Sequence, residues 1–251
     1  MKRSIKSLIG YSMGTPGGET GTVTEFYFDD ETLTVRYLIV KTGYWWFERK
    51  VLIPSEAVAK LDYERQSFLV DMTKHQIRNS PDIDTDKPVS RQQEAELYKR
   101  LQWPDYWSPG SFSVGVWGLT GTIPLATKTV PHKKFDFTND SNYDFHLRST
   151  RELTGYHIYG TDHEVGTVED FVIDDNIWQL DFLVVDTGNR LPGKKVLLSP
   201  TCIKTINWAS STILVDIDAK SIEKQPVYDP SASVNLLYED LLYDKYGKPQ
   251  N

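Results

Sequence analysis

The sequence predicts a mainly β protein built as two small β-barrels from an internal duplication, each followed by a short α-helix. Three observations carry the prediction. The chain matches itself at one fixed offset. Turn residues cut each copy into short β-favouring runs. Behind the last run of each copy the hydrophobic period changes from that of a strand to that of a helix.

The offset is 145 residues. Leu8, Gly10 and Tyr11 match Leu153, Gly155 and Tyr156; Gly21-Thr22-Val23 matches Gly166-Thr167-Val168; Thr42-Gly43 matches Thr187-Gly188; Leu69-Val70-Asp71 matches Leu214-Val215-Asp216. Without any gap, residues 3–106 against 148–251 give 30 identities in 104 pairs, where ordinary residue usage yields about 6%. The expected organisation is therefore a first module over 1–106, an ordered linker over 107–147 and a second module over 148–251. The linker has no counterpart and is rich in Gly, Pro, Ser, Thr and Asn.

Within the first copy the β-favouring runs are Gly21 to Phe28, Thr34 to Val40 and Val51 to Ile53, with Asp29-Asp30-Glu31 and Thr42-Gly43 as turns. The second copy repeats them as Gly166 to Ile173, Gln179 to Val185 and Val196 to Leu198. In the Thr34 to Val40 run Val35, Tyr37 and Ile39 share one face while Leu38 and Val40 share the other, the pattern of a strand covered on both sides. A further run, Phe68 to Asp71 or Ile213 to Asp216, closes each module. Ser90-Arg91-Gln92-Gln93 then has capping-box spacing, followed by the stripe Ala95, Tyr98 and Leu101. Val234, Leu237, Tyr238, Leu241 and Leu242 repeat the amphipathic pattern.

Composition narrows the function. A net charge of −7 works against non-specific attachment to phosphate backbones, so no direct nucleic-acid contact is expected. Cys202 is the single cysteine, so no intrachain disulfide forms. No apolar run approaches the roughly 20 residues of a transmembrane helix, and the basic start Met1 to Lys6 leads to no apolar signal region. A cytoplasmic location is the expectation.

The resemblance is to the PRC-barrel family in tandem. It rests on Gly166-Thr167-Val168-Glu169-Asp170-Phe171, on Val185-Asp186-Thr187-Gly188-Asn189, on Leu191 to Pro200, and on Ile77-Arg78-Asn79-Ser80-Pro81. The helix opening Pro88-Val89-Ser90-Arg91 and the ending Trp103 to Trp107 also resemble bacterial members. This implies a six-stranded barrel like those of the photosynthetic reaction-centre H subunit's cytoplasmic domain and the ribosome maturation factor's C-terminal domain. Such relatives imply docking surfaces for proteins, with function carried over by analogy alone.

No enzyme signature is found and no cofactor is expected. Asp29-Asp30 and Asp174-Asp175 read as turn carboxylates. His157 and His163, with Asp162 or Glu164, are the closest approach to a metal set, but their counterparts Ser12 and Gly18 show that the module does not need them. Cys202 stands where the first copy has Ala57 and reads as small and buried. The strongest contrast is at one hairpin, where Asn189-Arg190-Leu191-Pro192-Gly193 is replaced by Tyr44-Trp45-Trp46-Phe47-Glu48. Tyr44, Trp45, Trp46 and Phe47 are the candidate partner-binding residues, either docking another protein or joining the two modules. Arg49-Lys50 and Lys194-Lys195 beside them read as solvated strand ends. The expected function is a non-enzymatic protein-binding or scaffold module, self-association included, associated with a membrane or photosynthetic-type assembly. A ribosome or RNA-processing assembly helper and a small-molecule or metal-binding protein are the alternatives.

Overall fold

The computed structural model describes residues 1–43, 48–80, 94, 97–99, 147–188 and 194–230. In the first copy β1 (Lys2–Ser4) leads into a single helical turn α1 (Ile5–Leu8), then β2 (Ser12–Thr15), β3 (Gly18–Asp29), β4 (Val35–Thr42) and β5 (Arg49–Pro54). A 3-10 turn at Ser55–Ala57, β6 (Val58–Asp62), β7 (Ser67–Val70) and α2 (Lys74–Asn79) complete it. The second copy repeats the order with β8 (Leu147–Ser149), α3 (Thr150–Leu153), β9 (His157–Tyr159), β10 (Glu164–Asp174), β11 (Gln179–Asp186) and β12 (Lys195–Leu198). A 3-10 turn at Pro200–Cys202 then leads to β13 (Ile203–Asn207), β14 (Thr212–Val215) and α4 (Ala219–Glu223).

Local chemistry explains the punctuation. Asp29 Oδ1 accepts the amides of Glu31 and Thr32, closing the turn after β3, and Asp174 Oδ1 accepts that of Asn176 after β10. The aspartate pairs are thus turn residues, as expected. At Thr73 a capping box with Gln76 starts α2. The central β4 is buried from Tyr37 through Val40, so both its faces are covered.

Each copy contributes six strands to its sheet, in the order β5-β4-β3-β2-β7-β6 and β12-β11-β10-β9-β14-β13. A seventh comes from the other copy. β1 lies antiparallel on β10 with Lys2, Arg3 and Ser4 opposite Asp174, Ile173 and Val172. β8 lies antiparallel on β3 with Leu147, Arg148 and Ser149 opposite Asp29, Phe28 and Tyr27. Subtracting or adding 145 converts one register into the other, so the exchange is reciprocal. This moves the expected boundary of the linker: Leu147, placed at its end, is the first residue of a strand and fully buried.

The pseudo-two-fold axis runs between the two turns that follow β3 and β10. Thr34 bridges Gln179, its own counterpart. The amide of Val35 donates to Trp178 O at 2.7 Å, and that of Leu180 donates to Leu33 O at 2.9 Å. Leu33 and Trp178 hold matching left-handed backbones, φ 56° and 57°. The Trp178 ring stacks on Phe26 and Phe68 of the first copy, with centroids 6.5 and 6.4 Å away, and Phe28 meets Phe171 at 6.4 Å. One apolar core therefore runs through both copies. Two barrels joined by a linker become a single body.

Beyond these strands the described residues add Glu94, Leu97 and Tyr98, which are buried. Tyr37 donates to Glu94 at 2.8 Å, anchoring this helical piece on the outer face of the first sheet. The corresponding face of the second sheet carries Val172, Phe182, Val184 and Leu197, clustered with Tyr228. The predicted helix around Val234 to Leu242 lies outside the described residues.

Candidate functional site

The exchanged strands bring two hydroxyls onto two buried acids. Ser4 Oγ donates to Asp170, and Ser149 Oγ donates to Glu25. The pairs are counterparts at the 145 offset. Each serine also accepts the amides that open its following helical turn: Ser7 for Ser4, and Arg151 and Glu152 for Ser149. One hydroxyl thereby caps a helix of its own copy and contacts an acid of the other. Asp170 Oδ1 additionally accepts the amides of Phe171 at 2.8 Å and Lys6 at 3.1 Å. Burial nevertheless pushes the Asp170 carboxyl up from its ordinary value, because these donors only partly replace lost hydration. Nearby, Lys6 and Lys195 both reach Glu169, at 2.6 and 3.2 Å. Lys6 foremost holds the Glu169 carboxyl low.

Sequence reasoning did not single out these residues. The available signal was an acid inside an apolar β run in both copies, Thr24-Glu25-Phe26 and Glu169-Asp170-Phe171. The flanking arginines were equally legible as identities. Arg148 lies 4.1 Å over the Trp208 ring and pairs with Asp30 at 3.1 Å; Arg3 lies 4.0 Å over the ring of Tyr63, the counterpart of Trp208.

Tyr44, Trp45, Trp46 and Phe47 lie outside the described residues, but the base of their hairpin is defined. Thr42 pairs with Arg49, Lys41 meets Glu48 at 2.6 Å, and Gly43 has φ +104°. The reading of the flanking cations as solvated strand ends is corrected for Arg49 and Lys194. Arg49 Nη1 and Nη2 donate to the carbonyls of Arg78 and Ser80 at 2.9 and 3.0 Å. Lys194 Nζ donates to the carbonyl of Glu223, the counterpart of Arg78. These cations cap the C-terminal ends of α2 and α4, where unsatisfied carbonyls attract positive charge.

The four residues of the metal reading separate into pairs. His157 Nδ1 contacts Glu164 at 2.6 Å, while His163 Nδ1 contacts Asp162 at 3.0 Å and its Nε2 lies 3.8 Å from Glu223. Among the described residues no three donors converge as a metal site would require. Asp162 also accepts the Ala219 amide at the start of α4, the first cause of its lowered carboxyl pKa. Cys202 is buried, like Ala57, and borders an open cleft of about 680 Å³ with Thr161, Asp216, Asp218, Ser221 and Gln225.

These features define a class: a duplicated small-barrel protein whose polar seams and caps serve its architecture. The family model for the PRC-barrel domain matches residues 5–77 and 146–222, and the chain belongs to that family. PRC-barrel domains are generally protein-interaction modules. No curated protein matches the chain. Among the described residues no helix is long and apolar enough to cross a membrane.

Proposed function

We propose that this protein is a non-enzymatic protein-binding scaffold, in which two fused PRC barrels present differentiated hairpins from one rigid body. The observation that carries this reading is the pairing of reciprocal strand exchange with divergence at the hairpin tips. The exchange fixes the mutual placement of the copies, while residues 44–48 and 189–193 differ at every position. Fixed geometry with unlike tips suits a scaffold, because a preorganised surface loses little entropy on binding. The family's general role in protein interaction supports the same reading. A membrane or photosynthetic-type assembly is the finer setting we propose, by analogy with the reaction-centre relative.

The test is a Trp45→Ala/Trp46→Ala double variant, followed by copurification from native lysate with crosslinking and mass spectrometry, alongside urea denaturation. The proposal expects wild type to recover a protein partner that the variant loses while keeping its denaturation midpoint. A variant that loses stability assigns the aromatics to the joint between the copies. Failure of crosslinked wild type to recover any partner contradicts the binding reading itself.

A further inference from the structure

The two seams between the copies share their strand register, their serine-to-acid contact and their left-handed corners at Leu33 and Trp178. None of these features tells a first copy from a second: Ser4 would meet Glu25 of another chain much as Ser149 does here. Pairing of like copies has a consequence, because it does not close. Two chains joined first copy to first copy still each offer a second copy, and the series runs on as an open polymer. Covalent linkage raises the local concentration of the unlike copy but does not reject the like one.

The residues that differ between the seams supply that rejection. Across the first seam Lys2 Nζ meets Asp181 at 2.9 Å, with the two side chains only 15% and 20% exposed, and lies 5.0 Å from the centre of the Phe182 ring. At the counterpart positions the second seam has Leu147 and Arg36. Exchanging copies therefore changes the chemistry at this one place. Two first copies would set Lys2 against Arg36, twice over by symmetry; two second copies would set Leu147 against Asp181, taking the Lys2 cation from a largely covered carboxylate. Both arrangements are disfavoured where little water is present to screen the charges. The neighbouring pair of Lys6 with Glu169 does not discriminate in the same way, since its counterparts are Arg151 and Thr24 and two second copies would set Arg151 on Glu169. Only unlike copies put a cation on an anion at the Lys2 position.

We propose that Lys2 and Asp181 are the specificity-determining pair of a recognition face between unlike PRC copies. The first copy's seam accepts a copy with a carboxylate at the Asp181 position and rejects one with an arginine there, which is what its own Arg36 presents. The inference goes beyond the protein-binding reading and does not depend on it. Its consequence is assembly: the chain closes on itself as a monomer instead of polymerising through like copies.

The test uses the full chain with one reporter thiol, Thr34→Cys in a Cys202→Ala background. Thr34 faces Gln179 across the axis, so pairing of two first copies would bring the reporter thiols of two chains into disulfide reach. Oxidation at high protein concentration then traps like-copy pairing as a covalent dimer, and urea denaturation reports the seam's stability. With the natural charges the chain is expected to stay monomeric. Asp181→Arg sets like charges together within the chain, and is expected to lower the urea midpoint and give dimers. Lys2→Leu/Asp181→Arg recreates at the first seam the leucine and arginine of the second; it is expected to recover most of the midpoint yet form severalfold more dimer than the natural charges, because discrimination is gone while the repulsion is relieved. A purely structural ion pair would not separate the two readouts. An unchanged midpoint in Asp181→Arg, no recovery in Lys2→Leu/Asp181→Arg, or a dimer yield in that variant no higher than with the natural charges overturns the proposal.

Discussion

At Gly21 and Gly166, an added Cβ would lie 2.5 Å from Lys41 O and 2.0 Å from Asp186 O, so the main chain of the paired strand leaves room for hydrogen alone. Gly166 also holds φ +157°. Gly21→Ala is expected to cost about 1 to 3 kcal/mol and Gly166→Ala about 2 to 4 kcal/mol, read as a lowered urea midpoint. The Gly-Thr-Val repeat was legible in the sequence, but its reason, a carbonyl of the partner strand pressed against the glycine, exists only once β3 and β4 are paired. Asp170 is a second case. Its folded pKa is raised by burial, so the protonated form is favoured; the stability this provides is complete below the ordinary carboxyl value and disappears as pH rises through the folded value. Asp170→Asn keeps the acceptor for Lys6 and Phe171 while removing the charge. It is expected to match or exceed wild-type stability at pH 7 and to flatten the pH profile above the ordinary carboxyl value, checked by thermal melts across pH. Asp170→Ala instead strands the three donors and costs about 1 to 3 kcal/mol.

Strands rich in Val, Ile, Phe and Tyr announced themselves, and β3, β4, β5 and β7 with their counterparts were all anticipated within a few residues. β2 and β6 were not. Ser12-Met13-Gly14-Thr15 is short and glycine-containing, and β6 carries the exposed Ala59 and Lys60, so neither shows the alternation of a half-buried strand. β1 and β8 were illegible for a different reason: three residues become a strand only because the other copy offers an edge. Removing residues 1–4 is therefore expected to lower hydrogen-exchange protection in β10, far away in sequence, while protection in β3 under β8 persists. Equal loss in both strands contradicts the assigned pairing. Arg49 was misread because its partners are carbonyls of a helix about 30 residues on. Arg49→Ala is expected to fray the end of α2 and cost about 1 to 2 kcal/mol by chemical denaturation. Whether Tyr44 to Phe47 act as a contact surface follows from the double tryptophan variant described above.

Across the whole molecule, the duplication predicts two barrels and leaves open whether they pack together, and the structure joins them through exchanged strands and a shared core. No periodicity in a single copy could reveal this, since the information lies in which copy's edge receives which strand. The shared core and the exchanged strands imply cooperative unfolding: removing Trp178, whose ring packs on Phe26 and Phe68, should destabilise both copies together by about 3 to 5 kcal/mol for Trp178→Ala. The function proposed depends on the same unity, because only a fixed body holds two unlike hairpins in constant relation. The most direct measurement joins the axis covalently: Thr34→Cys with Gln179→Cys in a Cys202→Ala background, oxidised at low protein concentration and examined by intact mass and non-reducing electrophoresis. The two positions form a bridge in an antiparallel pair, which is within disulfide reach. Reciprocal exchange predicts rapid, near-complete intramolecular disulfide formation in a monomer with native stability or better. A chain whose two thiols stay free, or that crosslinks only between molecules, contradicts it.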